Sequence, residues 1–159
     1  MPQSTLTRRA ALFAFAASAV VGLHPARALA APTVIRVVKD PNCGCCAAWV
    51  EVIEADGFTA NVELLDYDAL QSHKAAVGVT ADMASCHTAH VDGYIVEGHV
   101  PPADIRRLLA ERPDAVGLSV PGMPYGSPGM GPESEREAYA VHLIRKDGTT
   151  EVFTTYAAA

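Results

Sequence analysis

The chain has 159 residues, half of them hydrophobic, which is enough for one compact domain with a real core. Its 18 acids against 12 basic residues leave a formal charge of −6, which argues against nucleic acid as a partner, because that needs a basic footprint. Nothing after residue 30 is long and apolar enough to suggest a membrane span.

The first thirty residues read as a secretory signal peptide. Arg8-Arg9 precede an uncharged apolar run over 10–23, and Ala28-Leu29-Ala30 supplies the small-residue cleavage site. The run is shorter than the roughly 20 residues of a spanning helix. Thr7-Arg8-Arg9-Ala10-Ala11-Leu12 matches a twin-arginine export signal in part, with Sec as the other route. The remaining residues, 31–159, are expected to form a single exported, soluble domain. Loss of Arg8, Arg9 and Arg27, with no acid, takes the formal charge from −6 to −9.

Within that domain, residues 34–38 are apolar except for Arg36 and predict a buried strand, which Asp40-Pro41-Asn42 ends. Trp49, Val52 and Ile53 fall at helical spacing between Cys45 and Asp56, with Gly57 at the C′ position. Residues 60–67 predict a second strand, Val62 and Leu64 alternating with Glu63. Asp68 and Gln71 resemble a capping box for a short helix stopping near Gly78. Strands over 88–91 and 94–100 flank Asp92-Gly93, a strong hairpin signal. Pro101-Pro102 opens a helix carrying Ile105, Leu108 and Leu109, which Pro113 closes. Residues 114–137 are rich in Gly, Pro and Ser, contain Pro-Gly-Met twice, and read as a long functional loop. Strands over 138–145 and 149–156 make a terminal hairpin around Asp147-Gly148. The order β-α-β-α-β-β-α plus a hairpin predicts an α/β layer structure with a mixed sheet.

Three of the four cysteines lie in Cys43-Gly44-Cys45-Cys46, and the fourth is in Ser85-Cys86-His87-Thr88. Two structural disulfides are the default for an exported chain, but this spacing opposes them. Adjacent Cys45 and Cys46 have Cα atoms about 3.8 Å apart, below the usual range of about 4.4–6.8 Å. Cys43–Cys46 is the plausible local pair, and as Cys-x-x-Cys it is a redox arrangement. A tetrapeptide at a helix start also favours thiolates, which metal binding and disulfide exchange both require. Met83, Cys86, His87 and His90 lie within eight positions, His99 ends the hairpin strand, and Met123 and Met130 sit in the Gly/Pro loop. Sulfur donors favour Cu(I), whereas imidazole suits copper and zinc alike. His73 and His142 read as structural.

Together with Asp92-Gly93-Tyr94, Glu97-Gly98-His99-Val100-Pro101, Pro121-Gly122-Met123-Pro124 and Gly126-Ser127-Pro128-Gly129-Met130, these motifs resemble the CopG-type periplasmic copper-resistance proteins. The resemblance extends from about Val34 to the final hairpin. It implies a thioredoxin-like mixed sheet with flanking helices, to which the long loop and terminal hairpin are additions. It also implies thiolate-bridged copper, Cu(I) first, in one or several ions. Cys43, Cys45, Cys46 and Cys86 are the matching sulfur ligands, and Met83, His87, His99, Met123 and Met130 are further candidates. The expected function is periplasmic copper homeostasis, alone or with other copper-handling proteins, with redox conversion of copper as an option. The alternative is a thiol–disulfide oxidoreductase using Cys43 and Cys46, and a third reading is a structural zinc site.

Overall fold

A computed structural model describes residues 32–159, so the signal-peptide and export readings of residues 1–30 lie outside it. The first strand, β1 (Val34–Lys39), buries Ile35, Val37 and Val38 completely. Asp40 then accepts a 2.7 Å bond from the Asn42 amide and a 3.2 Å bond from the Cys43 amide, turning the chain into α1 (Gly44–Ala55). The end of α1 is a Schellman motif. Gly57, at φ +93, donates to Glu54 O and Phe58 donates to Ile53 O.

Strand β2 (Thr59–Leu64) runs parallel to β1, and α2 (Tyr67–Ala76) follows. Its cap is Asp66, whose carboxylate accepts a 2.9 Å bond from the Ala69 amide. The helix therefore starts two residues before the Asp68–Gln71 expectation, with Asp68 in its first turn. A 3₁₀ turn (Ala81–Met83) leads into the hairpin of β3 (His87–Val91) and β4 (Tyr94–Glu97). Asp92 and Gly93 both have positive φ, +48 and +88, as a two-residue turn with right-handed strand twist requires. β4 stops at Glu97 rather than near Val100, because Gly98 at φ +71 turns the chain and Val100 N bonds back to Gly98 O. α3 (Pro102–Glu111) completes this half.

The segment read as one long loop contains a strand, β5 (Gly117–Ser119), which pairs parallel to β4 and antiparallel to β6 (Tyr139–Ile144). With β7 (Thr150–Tyr156) the sheet has seven strands in the order β2-β1-β3-β4-β5-β6-β7, a mixed α/β arrangement. Gly117 makes the β4–β5 approach feasible, since a Cβ there would meet Ile95 O at 1.8 Å. β5 thus joins the terminal hairpin to the first four strands in one continuous ladder.

Successive side chains alternate between the faces of this sheet. One face carries Ile35, Val37, Ala89, Val91 and Val96, packed with Trp49 and Ile53 of α1 and Ile105 and Leu108 of α3. The other face carries Thr88 and His90, which meet Lys74 and His73 of α2. Among the described residues, no helix is long and apolar enough to cross a membrane.

Candidate metal centre

The end of β1 delivers the first cysteine cluster, and the start of β3 delivers the second segment. Cys43 is the N-cap of α1, and its Sγ accepts from the Cys46 amide at 3.3 Å. Cys43 and Cys46 are joined by a disulfide, while Cys45 and Cys86 are free. Cys45 Sγ lies 3.5 Å from Cys43 Sγ and 3.9 Å from Cys86 Sγ. The four sulfurs all lie within 4.8 Å of one another, close enough to hold a metal ion. Segments 41 residues apart in sequence therefore meet at one point.

Cys86 also belongs to a second group. Its Sγ is 3.3 Å from His87 Nδ1 and 3.0 Å from His99 Nε2, and these three side chains could likewise hold an ion. The Pro128 carbonyl 2.7 Å from His99 Nδ1 can only accept. The Nδ1 proton is thereby assigned, and the Nε2 lone pair faces Cys86. Loop 121–131 makes this contact by resting on α1, where Gly129, at φ +80, has room for no side chain: a Cβ would sit 2.6 Å from Trp49 N.

A buried ion pair holds the Cys86 segment in place. Glu97 Oε1 accepts from the Ser85 amide at 2.6 Å and from Lys74 Nζ at 2.6 Å, and Glu97 Oε2 accepts from Thr88 at 2.6 Å. Both charged side chains are almost fully buried, 3% exposed for Lys74 and 0% for Glu97. In the sequence Glu97 stands out only as a member of the Glu97-Gly98-His99-Val100-Pro101 motif, and Lys74 not at all. A lysine in an amphipathic helix and a glutamate in a strand carry no signal until pairing brings them together.

Burial sets the protonation of the donors. It pushes the Cys86 thiol up to about 12, with the neighbouring Cys45 adding to the shift. His87, wholly enclosed, is held well below the usual imidazole value by burial and then by the charge of His99. Burial also lowers His99, against a raising effect of its bond to Pro128. The imidazoles are therefore neutral and available as donors. His87 Nε2 is buried without any hydrogen-bond partner, while its Nδ1 is the ring nitrogen that faces Cys86. Once the Cys43–Cys46 bridge is reduced, four sulfurs and two neutral imidazoles fit a soft or borderline metal ion.

Of the three methionine candidates, one lines the cavity that carries Cys43 and Cys86. Met123, 53% exposed, lines a cavity of about 510 Å³ with Cys43, Ser85 and Cys86. Met83 sits on the turn before Cys86, its carbonyl accepting a 2.6 Å bond from Ser119. Met130 lies in the turn that presents Pro128, with its amide bonded to Ser127 O. His90 is not in this group; it lies on the other face of β3.

Residues 83–130 match a family model described as "Protein of unknown function, DUF411". No curated protein matches. Two solved structures do match. One, titled "Copper resistance protein copG- Form 2", is 44% identical with a TM-score of 0.73 over 79% of this chain and 99% of that chain. The other, titled "Copper resistance protein copG- Form 1", is 43% identical with a TM-score of 0.75 over 80% and 100%. Similarity at that level across essentially the whole of both matched chains means that the protein belongs to the CopG family.

Proposed function

We propose that this is an exported copper-binding protein of the periplasm, serving copper homeostasis or resistance through Cu(I) held by Cys43, Cys45, Cys46 and Cys86. One observation carries the reading: Cys86 stands at the junction of two ligand groups, the four sulfurs and the Cys86–His87–His99 set. Two overlapping groups with a common thiolate favour more than one ion, with the sulfur end selecting Cu(I). Met83, Met123 and Met130 are thioethers that complete coordination or cover the entrance. The copper-resistance titles of the relatives support the metal assignment. The order β2-β1-β3-β4, with α1 and α3 on one face and α2 on the other, supports a thioredoxin-like origin for the first half. The charge of residues 31–159 and the apolar segment before them support export of a single mature domain.

The disulfide makes binding conditional. Bridged Cys43 and Cys46 offer no thiolates, so the full sulfur set exists only after two-electron reduction. The same pair supports a redox conversion of copper. Two Cu(II) ions each take one electron from the Cys43–Cys46 dithiol, the S–S bond forms, two protons leave, and two Cu(I) remain.

The test is anaerobic titration of Cu(I) into the reduced chain. Stoichiometric, chelator-resistant copper with a thiolate charge-transfer band is expected, and Cys86→Ser removes most of it. Copper that dialyses away from intact thiols rejects the proposal, and colourless loading by zinc alone would support a structural zinc site.

A second reading is favoured by the Cys43–Cys46 bridge itself: a thiol–disulfide oxidoreductase at the start of α1. It predicts a defined reduction potential and turnover of a small disulfide without metal. Lack of exchange with glutathione or a dithiol removes it.

A further inference from the structure

His73 and His90, 17 residues apart in sequence, meet across α2 and β3. Their Nε2 atoms are 2.9 Å apart, and the rings are inclined at 62° with centroids 5.0 Å apart. We propose that this pair is a second metal site, taking Cu(II) through the two facing imidazole nitrogens and separate from the sulfur centre.

The geometry points to a particular kind of ion. With metal–nitrogen bonds of about 2.0 Å, nitrogens 2.9 Å apart subtend roughly 90° at the metal. That is the cis angle of a tetragonal Cu(II) site and is narrower than the tetrahedral angle zinc adopts. Both rings are partly buried, so water or chloride can fill the remaining positions. In the metal-free chain one Nε2–H donates to the other ring; for both Nε2 atoms to bind an ion, that proton moves to Nδ1 of its own ring, which leaves two neutral imidazoles. Arg36, opposite His90 in the β1–β3 register, is the cation nearest in the ladder. Its guanidinium is turned onto Glu63 at 3.0 Å, which offsets its charge.

The two sites cannot merge. His87 and His90 are three residues apart on β3, about 10 Å along the strand and on opposite faces. His87 packs on Trp49 of α1 and His90 on His73 of α2. Imidazoles on one face and sulfurs at the sheet end would sort the two oxidation states of one metal between separate places.

The inference stands without the copper assignment at the cysteines, and its test is built to separate the two. Cu(II) is titrated into the full chain carrying Cys45→Ser and Cys86→Ser, so that no free thiol reduces it. The expected result is one tetragonal Cu(II) by electron paramagnetic resonance, with superhyperfine splitting from two imidazole nitrogens. His73→Asn and His90→Asn should each weaken that binding at least tenfold with circular dichroism unchanged. His73 lies on a helix surface, so H73N decides alone where H90N fails to fold. Absence of the two-nitrogen signal, or equal affinity in H73N, overturns the proposal while leaving the sulfur-centre titration untouched.

Discussion

The Trp49 indole lies 4.4 Å from the His87 imidazole, centroid to centroid, with the planes inclined at 44°. It is the single tryptophan of the chain, fully buried and anchored by a 2.9 Å bond from Nε1 to Val100 O. Any ion on His87 therefore sits beside the only indole. Copper loading of the reduced protein should quench most of the tryptophan fluorescence, saturating at the stoichiometry of the sulfur site. The same titration of Cys86→Ser should leave the emission nearly unchanged.

Gly129 allows the 121–131 loop to rest on α1 and hold Pro128 O on His99. Gly129→Ala must push the loop away from Trp49 N, releasing His99 Nδ1. Loss of such an orienting partner lowers metal affinity by about 10–100-fold. Chelator competition should show that loss, while far-UV circular dichroism stays at the wild-type level because the sheet does not depend on the loop.

The Lys74–Glu97 pair predicts a stability effect. Glu97→Ala leaves the Lys74 ammonium buried without its partner and frees the Ser85 amide. Breaking a buried pair from one side costs about 3–5 kcal/mol, read as a fall in the urea midpoint. Replacing both with apolar residues, Lys74→Met with Glu97→Leu, should recover much of the loss. The Ser85–Cys86 segment should remain displaced in both variants, lowering metal affinity.

How far the chain's sequence discloses this architecture varies with length and locality. Cys43-Gly44-Cys45-Cys46 between a strand and a helix, and Gly57 closing that helix, are local patterns and are found as expected. The Asp92-Gly93 hairpin is equally local. β5 is not readable, because three residues including Gly117 show no period and its formation depends on partners on both sides. The α2 cap lies two residues before the position the sequence suggests, because Asp66 and Asp68 are equally good caps in isolation and only the extended backbone of Asp66 decides. The meeting of Cys86 with Cys45 follows from β1 and β3 lying side by side. His73 and His90 read as unrelated because nothing in the sequence places α2 over β3.

Proton competition gives the pH dependence. The folded Cys86 thiol holds its proton up to about 12, against 9.0 for an unburied thiol, chiefly through burial. The folded state therefore binds this proton more tightly than the unfolded one, and the stability it confers is full below 9.0 and lost as pH rises toward 12. In the metal-free protein with the Cys43–Cys46 bridge intact, alkylation of Cys86 should be slow at neutral pH and keep rising well past pH 9. Cu(I) affinity should likewise increase with pH across this window, since binding displaces the proton. A Cys86 alkylation midpoint at the ordinary thiol value would contradict the burial seen here.

Beside Cys86 the backbone is already spoken for. Ser85 forms a parallel bridge with Gly122, whose amide bonds to Ala84 O at 3.2 Å and whose carbonyl accepts from the Ser85 hydroxyl. An extended polypeptide arriving beside Cys86 would find the Ser85 rung already taken. A stretch of the chain's own backbone thus borders the cavity that carries Cys43 and Cys86.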